Sequence, residues 1–92
     1  MALNSGGLPK HYCSKFNQLA VKKYNGTYED GALENLIKEA IEHMKIWEAE
    51  PYEQNLANFK SQLNQHSNTK DAAYENRQQL YKEALPLIAA YE

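Results

Sequence analysis

The sequence predicts an all-α fold, a small antiparallel bundle of three to four helices. Three observations predict it. Glycine (four residues) and proline (three) are scarce, while Ala, Leu, Glu, Lys and Gln abound, a balance that favours helix over sheet. Apolar residues recur at spacings of three and four, most clearly between Gly31 and Glu50, and side chains so spaced share one helix face. Short clusters of turn and cap residues, Asn25-Gly26, Glu50-Pro51 and Ser67-Asn68-Thr69, separate the periodic stretches.

Ninety-two residues make one domain at most. Residues 1–7, with Asn-Ser-Gly-Gly and no apolar anchor, read as a flexible lead-in, and 8–92 as the helical domain. A chain of this length buries only roughly 60–65% of its unfolded surface, so its stability is expected to be modest or shared with a partner.

The first helix is expected over about 9–25. Pro9 suits a first helical turn, Tyr12, Phe16, Leu19, Ala20 and Tyr24 form an apolar stripe with Cys13 at its edge, and Asn25-Gly26 offers a left-handed stop. The second, about 28–49, is the best-defined element. Leu33, Leu36, Ile37, Ala40, Ile41, Met44 and Trp47 lie on one face opposite Asn35, Lys38, Glu39, Glu42 and Lys45. Thr27 with Asp30 resembles a capping box that would start this helix near Tyr28. Gly31 in its first turns would weaken it by about 1 kcal/mol.

Trp47 and Leu56 are about half a turn out of register, so Glu50-Pro51 is expected to break the chain rather than kink a continuing helix. The third helix, about 51–66, carries Tyr52, Leu56, Phe59, Leu63 and His66 in a narrow seam. The fourth, about 70–91, carries Ala73, Leu80, Tyr81, Ala84, Leu85, Ile88 and Tyr91, with Pro86 expected to kink it or start a terminal turn. The seam spacing runs on through Lys70, Ala73 and Arg77, which would also suit one continuous rod. The turn and cap types at 67–69 predict a break instead. Leu36, Ile37, Ala40, Met44, Trp47, Phe16, Leu19, Leu56, Phe59 and Leu80 are the expected core.

Charge is unevenly spread within a net −2. Residues 1–28 hold four Lys and no acid, residues 29–53 eight acids against two Lys, and residues 54–92 four of each. The first two helices are therefore expected to pack together. One cysteine excludes an internal disulfide, and no apolar run approaches the length of a membrane span. A cytoplasmic location is the expectation.

No motif carries chemistry. His11-Tyr12-Cys13 has no second pair at metal-ligand spacing. The order His43-Met44-Lys45-Ile46-Trp47 departs from helical-bundle phosphotransfer domains, which set a small residue and a Lys beside an exposed His. Residues 24–33 with Ala40-Ile41 resemble a tetratricopeptide hairpin in outline. Their small residues are eight apart, where that family spaces them by seven, and no second copy follows. No carboxylate pair or activated nucleophile is discernible. The expectation is a non-enzymatic protein without cofactor or metal that binds another protein, as an adaptor, inhibitor or assembly factor. The composition is of a kind that phage and mobile-element proteins share, although composition shows no origin.

Two places break the helical pattern and mark a candidate protein interface. Ile46 lies on the polar side of the second helix. Arg77, the only arginine, falls between Tyr74 and Tyr81 on an apolar face, and Tyr and Arg are enriched at interfaces. Arg77 must be met by an acid of the second helix, the face of a tyrosine or a partner's carboxylate, with the internal partners favoured over the external one. A homodimer is expected from the narrow seam of the third helix. The alternative reading is nucleic-acid binding, with His11, Lys15 and Lys22 on one side of the first helix contacting phosphates.

Overall fold

A computed structural model describes residues 7–92, and the lead-in expected over 1–7 falls outside them except for Gly7. Four helices make up the fold: α1 Gly7–Asn25, α2 Ala32–Ile46, α3 Tyr52–Ser67 and α4 Tyr74–Tyr91. Consecutive helices return on one another. Tyr12 near the start of α1 meets His43 near the end of α2, and Lys60 of α3 pairs with Glu92 beyond α4. Across the bundle α1 lies most extensively on α3, and α2 on α4. The break between α3 and α4 excludes the single rod.

The core is one cluster to which every helix contributes: Leu8, Tyr12, Cys13 and Phe16 from α1, the α2 stripe, Phe59 and Leu63 from α3, and Leu80, Ala84 and Ile88 from α4. Of the expected core residues, Leu36, Ile37, Ala40, Met44, Phe16, Phe59 and Leu80 are buried, while Leu19, Leu56 and Trp47 are only partly buried against the cluster. Trp47 lies just beyond α2 with extended backbone (φ −75°, ψ 115°), so its ring leans on His43 instead of filling the centre.

The helix ends explain where the expected boundaries shift. Gly26 at φ +79° closes α1 in a Schellman arrangement: its N–H donates to Lys23 O and the Thr27 N–H to Lys22 O. Thr27 also turns its hydroxyl back onto Lys22 O, so it closes α1 and does not start α2. Gly31 takes φ +83°, a left-handed conformation that a helix interior cannot hold. For that reason α2 begins at Ala32, four residues later than expected. Its Leu33 N–H is met by the Tyr28 hydroxyl, a cap the sequence pattern did not suggest.

The buried edge of α3 is rotated from the expected seam. Asn55, Phe59, Leu63 and Ser67 face inward, whereas Leu56 is half-buried and His66 exposed. Ser67 satisfies itself by donating to Asn64 O. Asn55 is fully buried, and neither its amide nitrogen nor its oxygen finds a partner among the described residues. Helix α4 starts at Tyr74 rather than 70 and continues through Pro86 to Tyr91. Pro86 and Lys82 lie on the exposed face, where water can take the carbonyl that proline leaves unpaired.

These environments predict opposite outcomes for neighbouring truncations on α3. Phe59→Ala removes a fully buried ring and should cost about 3–5 kcal/mol in urea unfolding. Asn55→Ala removes unpaired buried polar atoms and improves helix propensity. It should cost less than about 1 kcal/mol or stabilise.

Candidate functional site

The two helices of most uneven charge, α1 and α2, form a hairpin, and between them runs a groove of about 380 Å³. Lys15, Gln18 and Lys22 come from α1. Glu29 and Asp30 come from the connecting turn, and Asn35 and Glu39 from α2. Leu19, Ala32 and Leu36 complete the lining. The positions arise from helical phase: Lys15, Gln18 and Lys22 are spaced by three and four on the flank of α1 next to its buried stripe, and Asn35 and Glu39 by four on the flank of α2.

The expected packing of a basic helix on an acidic one is present as proximity but not as direct pairing. The ion pairs among the described residues are Lys23–Glu83, Lys60–Glu92 and Arg77–Asp71, and none joins α1 to α2. Lys15 lies instead over the Tyr12 ring, with Nζ 5.6 Å from its centroid. Lys23 turns toward α4 and the Tyr28 ring. Of the three candidate phosphate contacts, then, Lys15 and Lys22 enter the groove. His11 is exposed outside it, edge-on to Tyr12.

Toward the start of α1 and the end of α2, Tyr12, His43 and Trp47 form an edge-to-face row, and the Tyr12 hydroxyl hydrogen-bonds His43 Nδ1 at 2.9 Å. Burial, and secondarily the charge of Glu39, raises the Tyr12 hydroxyl above its ordinary pKa, so the phenol stays protonated at neutral pH. Burial likewise pushes the Cys13 thiol up to about 12, which leaves it inert as a nucleophile. The row is a packing and hydrogen-bonding unit.

The second group of candidates is divided by the fold. Tyr74, Arg77 and Tyr81 lie on α4, and Ile46 lies at the end of α2 with 76% of its surface exposed. Tyr74 and Tyr81 are half-buried, with Lys70 Nζ 5.9 Å from the Tyr74 ring centroid. Arg77 is only 4% exposed, and its guanidinium is engaged within the chain. Nη1 and Nη2 donate to the two Asp71 carboxylate oxygens at 2.6 and 2.7 Å, Nε donates to Asn17 Oδ1 at 2.7 Å, and Nη1 also reaches Thr69 O. The partner of Arg77 is therefore neither an acid of α2 nor a tyrosine face, but a carboxylate in the α3–α4 turn six residues before it. That turn is tight because Asp71 Oδ1 also accepts the Ala73 N–H, which fixes the carboxylate in reach of the fork.

Sequence reasoning missed Asp71 and Asn17 as partners of Arg77. An aspartate just ahead of a helix is a recognisable start signal, and it stands at the end of the Ser-Asn-Thr-Lys stretch. Asn17 carried no signal, being one of nine asparagines in the chain. The groove acids Glu29, Asp30 and Glu39 read as ordinary solvated residues. Only the approach of α1 shows that they share a cleft with lysines.

The chain matches no family model, no curated protein and no solved structure. The fold and the groove define a small four-helix bundle with a charged two-helix cleft. Among its described residues no helix is long and apolar enough to cross a membrane.

The Arg77 brace carries a pH signature. Its hydrogen bonds hold the Asp71 carboxyl below its ordinary pKa, so near and below about pH 4 the unfolded chain binds the proton more readily than the folded one. The stabilisation is complete above that range and is lost as pH falls through the depressed folded value. Thermal melts between pH 6 and 2.5 should show a steeper acid decline for the wild type than for Asp71→Asn.

Proposed function

We propose that this chain is a non-enzymatic protein that works by binding another protein through its α1–α2 face, as an adaptor, inhibitor or assembly factor. The observation that carries the reading is the groove itself, an apolar strip flanked by lysines on one side and carboxylates on the other. Protein interfaces combine an apolar centre with a polar, charge-matched rim. Ile46 extends the same surface: it lies seven residues from Glu39 and eleven from Asn35, which places it on their flank of α2. An exposed isoleucine in line with such a groove suits an anchor in a partner's pocket.

The alternative, phosphate binding by Lys15 and Lys22, is less well supported. Glu29, Asp30 and Glu39 line the same groove, and a polyanion laid along α1 would have to pass three carboxylates.

A photo-crosslinking side chain at Gln18 tests the reading in extracts of the organism that makes the protein. A discrete protein adduct is expected, unchanged by nuclease and persisting from 50 to 200 mM salt, and absent when the crosslinker sits at Lys82 on α4. Adducts that vanish with nuclease, together with oligonucleotide binding that weakens steeply over that salt range, would support phosphate recognition instead.

A further inference from the structure

The walls of the groove are complementary in charge to each other, and their charges are matched in level. Lys15 and Lys22 are seven residues apart on α1, about 10 Å along the axis. Opposite them, Glu29 and Asp30 lie in the turn beside the end of α1. Glu39 lies seven residues into α2, one turn before His43, whose ring meets Tyr12 one turn before Lys15. Two levels result, Lys22 with Glu29 and Asp30, and Lys15 with Glu39. Among the described residues no ion pair is closed at either level.

We infer that the occupant of this groove is a second copy of the same chain, docked hairpin to hairpin about a two-fold axis parallel to the α1–α2 hairpin. The inference rests on the reading of the groove as a protein-binding face. A two-fold in that direction preserves level and exchanges sides, so each α1 crosses to the other copy's α2. Lys15 of one copy then meets Glu39 of the other, and Lys22 meets Glu29 and Asp30, with both sets made twice, as an isologous interface requires. Other two-fold directions in the plane of contact reverse the levels or set lysine on lysine. Leu19 and Ala32, both partly exposed, line the groove with the charged residues and supply its apolar centre, while Leu36 beside them is almost wholly buried. The third-helix seam cannot serve this purpose, because Phe59 and Leu63 are fully buried within the chain. A face two helices wide and roughly 25 Å long offers about 500 Å² per copy. That is near the lower bound for specific association, so a micromolar dimer is expected.

The test is sedimentation of the full chain with two charge-reversed variants, Lys15→Glu/Lys22→Glu and Glu29→Lys/Glu39→Lys. Wild type should dimerise at high micromolar concentration in 50 mM salt and weaken at 500 mM. Each variant should associate at least tenfold more weakly while keeping its helical circular dichroism. An equimolar mixture of the two should restore a dimer containing one of each, because an all-acid groove complements one in which Asp30 is the only acid left among four lysines. Should either variant fail to fold, the salt dependence of the wild type alone decides between a charge-matched dimer and none. A wild type that stays monomeric overturns self-pairing, as does a dimer whose affinity neither reversal changes. A monomer that still yields a heterologous Gln18 adduct leaves the protein-binding reading standing with another occupant. A monomer that binds oligonucleotide, and loses it in Lys15→Glu/Lys22→Glu, overturns both.

Discussion

One buried guanidinium holds the bundle closed at its α3–α4 corner. Arg77 comes from the first turn of α4, Asp71 and Thr69 from the turn before it, and Asn17 from the middle of α1. A charge with 4% of its surface exposed is tolerated only when its hydrogen bonds are filled. Straightening the chain into a rod would take Asp71 and Thr69 out of Arg77's reach, and lifting α1 away would leave Nε without Asn17. The brace thus ties a local turn to the long-range packing of α1. Gln78 adds a second tie at the same corner by donating to the Ser67 carbonyl.

With that corner fixed, the remaining packing follows from stripes. The apolar face of α2 is wide enough to meet α4 on one side and α1 on the other. Leu36 shows the division: it belongs to the buried cluster and also lines the groove. The opposite ends of the bundle are closed by weaker, exposed contacts, Lys45 to Tyr91 O, Tyr52 to Glu92 O and Tyr91 to Glu34. Such contacts fix direction more than they add stability. The polar flanks of α1 and α2 that the core does not use face each other across the groove.

Most of the fold was legible because it rests on periodicity. The α2 stripe, the Asn25-Gly26 stop and the break at Pro51 all follow from residue spacing and backbone preference. What was not legible depends on partners distant in sequence. The buried edge of α3 includes Asn55 and Ser67 where the pattern pointed to Leu56 and His66, because packing against α1, α2 and α4 at once overrides a single seam. In the sequence Gly31 shows only a propensity cost, whereas its positive φ in the fold makes it the boundary. At the candidate site, Lys15 and Lys22 stood out as a basic flank. That they share a groove with Glu39 required the hairpin geometry. Arg77 stood out as an arginine in an apolar face, but its internal partners, Asp71 and Asn17, were visible only once the corner had formed.

The role of Arg77 as a brace between α1 and the α3–α4 corner is tested most directly by a double-mutant cycle of Asn17→Ala and Arg77→Lys in urea unfolding. Lysine keeps the charge but has no planar fork, so it cannot hold Asp71 through two nitrogens and Asn17 through a third. If the brace joins the two elements, Asn17→Ala should cost about 1 kcal/mol less in the Arg77→Lys background than in the wild type. Losses that simply add would show that Asn17 and Arg77 act independently, and would contradict the brace.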